Sequence, residues 1–141
     1  MPVLFGIVAA WAVVLTVFDV RHRRLPNALT LPGAIAVVLG AFACGRGLPA
    51  LAGALGLAAL YLVVHLVIPS GLGAGDVKLA LGLGALTGAF GPDVWLLAAL
   101  GAPVLTGLLA AVIAVRDPSA TVPHGPSMCV ASLAAAALVV F

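Results

Sequence analysis

The chain has 141 residues, of which 65% are hydrophobic and 7% charged, with a net charge of +2 and a mean hydropathy of +1.35. A soluble domain of this length lacks the interior to hide so much apolar surface, so its solvent must be mostly lipid. So small a charge gives no reason for a nucleic-acid partner, and the six basic residues serve instead as markers of membrane topology.

A helix needs about 20 apolar residues, and at least about 17, to cross a bilayer core. The first run, Pro2 to Phe18, meets this and closes at Asp19. The stretch Met1-Pro2-Val3-Leu4-Phe5 lacks the basic n-region of a cleavable signal, so this run is expected as a permanent span. A basic loop, Arg21 to Asn27, follows, with His22 as an interfacial cation. The second run is Ala28 to Cys44, with Gly45 to Pro49 as a turn, and the third is Ala50 to Ile68. Pro69-Ser70-Gly71 breaks the third run and leads into the glycine-rich Gly73-Ala74-Gly75-Asp76-Val77-Lys78. The fourth run, Val77 to Phe90, is short, and spans only if its helix begins before Asp76. Gly91-Pro92-Asp93 stops it, with Asp93 as a turn or N-cap residue. The fifth run is Val94 to Val115. Arg116-Asp117-Pro118 opens a polar loop containing Pro123-His124-Gly125-Pro126, with a solvated Asp117 beside Arg116. The sixth run, Ser127 to Phe141, is expected to start near Pro126, since proline suits a first helical position.

The fold expected is therefore all-α: one polytopic membrane domain over residues 1–141, with six transmembrane helices. The loops after spans one, three and five hold Arg21, Arg23, Arg24, Lys78 and Arg116, against Arg46 alone on the other side. The positive-inside rule then places both termini outside and those loops in the cytoplasm. Cys44 and Cys129 fall near opposite faces, too far apart for a disulfide. Gly84-x-x-x-Gly88 permits close helix approach, which is ordinary packing in a chain rich in Ala and Gly.

The chain has four carboxylates, all Asp. An ionisable group at the edge of an apolar span is expensive and marks function by default. Asp19 and Asp76 both fall on the cytoplasmic side. Two nearby carboxylates share a proton, so one acts as base toward water while the other polarises a carbonyl. The macrodipoles argue for the proton on Asp19, at a helix C-terminus, and the charge on Asp76, at a helix N-terminus. Gly73 and Gly75 are open to two readings. They free the backbone and leave room beside Asp76 for an extended substrate, or they are a plain loop pair at a helix start. Lys78 either reaches to headgroups or shapes the site. His65 is expected as a packed helix residue and His124 as a loop residue near the site. The spacing of His22, His65 and His124 fits no metal site. The glycines fit neither a dinucleotide fingerprint nor a P-loop, so no cofactor is expected.

Three stretches carry a family resemblance: Asp19 through Pro26-Asn27, Gly73 through Lys78, and Val122-Pro123-His124-Gly125-Pro126. In this order they resemble the type IV prepilin peptidases, membrane aspartic proteases of the Gly-x-Gly-Asp class. The resemblance implies catalytic Asp19 and Asp76. It implies motif glycines at Gly73 and Gly75, and site-shaping roles for Pro26, Asn27, Lys78, His124 and Gly125. It further implies removal of the basic leader of a prepilin-like membrane substrate, after a glycine, at the cytoplasmic face of the inner membrane. Larger members add an N-terminal zinc region with paired Cys-x-x-Cys motifs linked to N-methylation. This chain starts at span one, as in the peptidase-only members of tight-adherence (Flp-type) pilus systems. A proton- or ion-coupled transporter and a non-catalytic pilus or secretion subunit are the rival readings. The oligomeric state is left open by the sequence.

Overall fold

The computed structural model describes residues 2–70 and 72–141. It contains six α-helices: α1 (Pro2–His22), α2 (Asn27–Ala43), α3 (Gly47–Val67), α4 (Ala74–Ala89), α5 (Pro92–Arg116) and α6 (Gly125–Val140). Three of them, α1, α3 and α5, are long and apolar enough to cross a membrane. Their outward faces carry large exposed apolar side chains such as Leu55, Leu66, Leu100 and Leu108. In water that surface would be untenable; against acyl chains it costs nothing.

Each helix is bounded by an identifiable device. The charges at Arg21 and His22 do not end α1, which runs one turn past the expected Phe18 and closes only at Arg23, in the left-handed region at φ 53°. Long basic side chains at a helix C-terminus suit the macrodipole, so they prolong the helix instead of breaking it. Gly45 (φ 74°) and Gly91 (φ 116°) turn the chain between α2 and α3 and between α4 and α5, where a side chain would be strained. Asp93 lies inside the first turn of α5 and is not its cap, because Gly91 takes that position. Pro126 stands in the first turn of α6, as its missing N–H favours. α4 begins at Ala74, ahead of Asp76. Gly71, part of the expected break before α4, lies outside the described residues.

The other five helices enclose α4. α1 contacts α2, α2 contacts α3, α3 contacts α5, α5 contacts α6 and α6 returns to α1, while α4 packs on α2, α3, α5 and α6. α1 reaches α4 through Trp11, whose ring lies against both Gly33 and Gly82. At 16 residues α4 is about 24 Å long, shorter than a bilayer core of about 30 Å. Its residues from Leu79 to Gly88 are almost all buried among the neighbouring helices.

Glycine makes this enclosure possible. A Cβ at Gly88 would sit 2.7 Å from the Pro49 carbonyl oxygen, and one at Gly53 would collide with the Gly84 carbonyl. The α3–α4 seam is thus backbone against backbone, the close approach that Gly84-x-x-x-Gly88 allows. Trp95 Nε1 donates to the Gly53 carbonyl at 3.0 Å and Trp11 Nε1 to the Leu29 carbonyl at 2.8 Å, so both indoles are satisfied.

Candidate active site

A polar cavity of about 800 Å³ opens at the end of the bundle where α1 finishes and α4 and α6 begin. Its walls come from the α1–α2, α3–α4 and α5–α6 connections. A smaller cavity of about 310 Å³ lies at the opposite end between α1, α2 and α4; its lining is mostly apolar, with Arg46 and the Cys44 thiol and no carboxylate.

Asp19 and Asp76 both line the polar cleft and both are largely buried, at 7% and 9% exposed. Asp76 lies within reach of the charge on Asp19. The fold brings them to one cleft by running α1 and α4 in opposite senses, so that the last turn of one and the first turn of the other open on the same cavity.

A helix N-terminus holds the Asp19 carboxyl. The first N–H groups of a helix have no partner within it. Gly125, the first residue of α6, donates its N–H to Asp19 Oδ2 at 3.0 Å across the fold. Asp76, in the first turn of α4, turns back toward the backbone of its own N-cap, Gly73. The dipole argument for the proton considered α1 and α4 alone, and Gly125 adds a donor on Asp19. In a coupled pair the proton belongs to the dyad.

The two motif glycines have different reasons to be glycine. Gly73 is extended (φ −74°, ψ 151°) and Gly75 is helical, so neither needs a conformation closed to other residues, contrary to that expectation. A Cβ at Gly73 would meet Asp76 Oδ2 at 3.8 Å, an ordinary contact that leaves the cleft open. At Gly75 it would press on Leu25 Cβ at 3.2 Å. Gly75 therefore fits α4 against the α1–α2 connection at the edge of the cleft.

The remaining expected residues converge on the same cleft. Pro26 is the N-cap of α2, and its carbonyl accepts from Leu29 N and Thr30 N, each at 3.0 Å. Asn27 Oδ1 accepts from Lys78 Nζ at 2.6 Å, so Lys78 ties α4 to α2 at the rim instead of stretching toward headgroups. His124 lines the cleft, while Gly125 lies behind Asp19. His65 Nδ1 donates to the Leu72 carbonyl, 2.6 Å away, and His22 lies beside the Phe18 ring. Asp117 is exposed, and two donors from Ser119, hydroxyl and amide, hold its carboxyl below the ordinary range. Cys44 is exposed and Cys129 buried.

Sequence reasoning missed the polar groups contributed from inside the spans. Tyr61 Oη lies 3.0 Å from His124 Nε2, and Thr106 Oγ1 lies 2.6 Å from His124 Nδ1. Arg23 donates to Thr121 Oγ1 at 3.0 Å and to its carbonyl at 2.6 Å. The available signal was that Tyr61 is the sole tyrosine, set in an otherwise apolar run.

An all-helical bundle with an apolar exterior and a pair of buried carboxylates in one terminal cleft defines a membrane-type protein with a carboxylate-centred site. The match to a family model is consistent with it. Residues 6–141 match the type IV leader peptidase family, and the chain belongs to that family. Membership makes it a protease, a hydrolase of the leader-peptidase kind. Neither a curated protein nor a solved structure matches the chain.

Proposed function

We propose that the chain is an aspartic endopeptidase of the inner membrane that removes the basic leader of prepilin-like precursors after a glycine, at the cytoplasmic face. The observation that carries this reading is the meeting of Asp19 and Asp76, 57 positions apart in sequence, in one polar cleft of an apolar bundle. In this reading residues 1–141 form a single membrane-embedded domain. All six helices lie within the bilayer, the short α4 shielded by its neighbours, and both termini face outward. The five basic residues on the cleft side support the orientation.

The chemistry follows from two carboxyls sharing one proton. The ionised member takes a proton from water as the water oxygen bonds to the scissile carbonyl carbon. The protonated member donates toward the carbonyl oxygen. Collapse of the tetrahedral adduct breaks the C–N bond: the leaving nitrogen takes up one proton from the dyad, and a hydroxyl of the adduct returns its proton to the dyad as the new carboxyl forms. One water is consumed and the pair returns to its starting charge. A precursor whose own helix lies in the membrane would bring its scissile bond to the level of this cleft from the lipid side. Glycine before that bond favours the non-helical backbone that hydrolysis needs.

The placement of both carboxyls at one end of the bundle weighs against the transporter reading, since transport sites lie near the midplane. Co-expression with prepilin-like precursors in membranes tests the proposal. Mass spectrometry should locate the cut after a glycine for the wild type. Asp19→Asn and Asp76→Asn, inserted at equal levels, should leave the precursor whole. Uncut precursor with wild type would refute the assignment.

A further inference from the structure

His124 has two ring nitrogens, and both are engaged by hydroxyls from helices remote in sequence: Tyr61 on α3 and Thr106 on α5. The next residue, Gly125, donates its N–H to Asp19 Oδ2. The path from α3 and α5 to a cleft carboxyl is therefore two hydrogen bonds, one ring and one peptide unit. There is no slack in it at Gly125, where an added Cβ would collide with Asp19 Oδ2. The connection is tied a second time three residues earlier, by the Arg23 guanidinium on Thr121.

We infer that His124 is a positioning residue of the peptidase, braced by Tyr61 and Thr106, and that it sets the orientation of the Asp19 carboxyl through the Gly125 amide. The inference rests on the reading of Asp19 as half of the dyad. With Oδ2 held by the amide, the carboxyl has a fixed rotation, and Oδ1 is the oxygen presented for water and for the shared proton. Without the brace the α5–α6 connection rotates, and the amide leaves Oδ2. An imidazole suits this place because it accepts at one nitrogen and donates at the other, and each hydroxyl takes the complementary role in either tautomer. Burial keeps His124 below its ordinary value, which favours this neutral form.

The test uses the full chain in membranes or detergent with a cleavable precursor. His124→Phe keeps a ring of similar size and removes both hydrogen bonds. It should lower kcat about tenfold to a hundredfold, the scale of a small misplacement at a reacting centre, with KM within about twofold. His124→Gln restores one bond and should recover part of kcat. Tyr61→Phe should lower kcat by itself and add nothing further in the His124→Phe background, since both break one brace. These effects are read per folded molecule, at matched unfolding midpoints. Wild-type kcat in His124→Phe and Tyr61→Phe, or a loss confined to KM, overturns the inference while leaving the dyad intact. A wild type that cuts no precursor overturns the peptidase reading and this inference with it.

Discussion

The two ends of α4 are built on opposite principles. At the Gly88 end the helix is held mainly by backbone contact: carbonyls of α3 and α4 approach so closely that no Cβ fits at Gly53, Gly84 or Gly88, and Arg46 adds one hydrogen bond to the Ala89 carbonyl at 3.3 Å. At the Asp76 end it is held by a polar link between groups far apart in sequence, Lys78 to Asn27, and it carries Asp76 into the cleft that Asp19 also lines. The difference shows how a short helix serves a buried site. Backbone packing at one end fixes its height and rotation, so that the other end can open to water and carry charge without losing register. Lipid supplies no hydrophobic force between helices, so shape fit and hydrogen bonds must do both jobs.

The comparison breaks most sharply at Gly125. Gly125→Ala places a methyl on Asp19 Oδ2, and kcat should fall about a hundredfold with the bundle still assembled. Gly107→Ala, whose new Cβ meets nothing within 4 Å, should cut at the wild-type rate in the same assay.

At the packed end the consequence moves from rate to stability. Gly84→Ala or Gly88→Ala should destabilise the bundle by about 1–3 kcal/mol, the usual cost of overpacking. That would be read as a lower unfolding midpoint in detergent. An unchanged midpoint would mean that the seam is not what fixes α4.

The motif glycines sharpen the contrast within the cleft. Gly75→Ala must displace Leu25 by a few tenths of an ångström, whereas Gly73→Ala meets only an ordinary contact. Cleavage should therefore be impaired severalfold by the first and little by the second. The reverse order would restore the view that Gly73 makes room for the substrate.

The smallest effect concerns pH. His124 titrates below its ordinary 6.5 because burial disfavours the imidazolium. As pH falls through about 6.5 the unfolded chain gains the proton first, so stability present above that point declines below it. The unfolding midpoint of the wild type should fall between about pH 7 and pH 5, and that of His124→Gln should fall less.

The helices were legible because apolar length and proline–glycine punctuation are local properties. All six runs became helices, with ends displaced by a few residues where capping decided the matter: Arg23 for α1, Gly73 for α4 and Gly91 for α5. Asp19 and Asp76 were legible because carboxylates are rare and costly in such a chain. The enclosure of α4 was not, since nearly every helix here is apolar on all sides and no stripe distinguishes the central one. Nor were the partners of His124. Tyr61 and Thr106 lie 63 and 18 positions away, and only the folded bundle brings their hydroxyls to one imidazole.

The central claim is that Asp19 and Asp76 act as one catalytic unit, and a double-mutant cycle tests it most directly. Cleavage of a prepilin-like precursor would be measured for wild type, Asp19→Asn, Asp76→Asn and the double variant, at equal membrane levels. The account predicts that each single substitution removes activity by about a thousandfold or more and that the double variant is no worse, as for residues that act together. Substantial cleavage by either single variant, or losses that add, would contradict it.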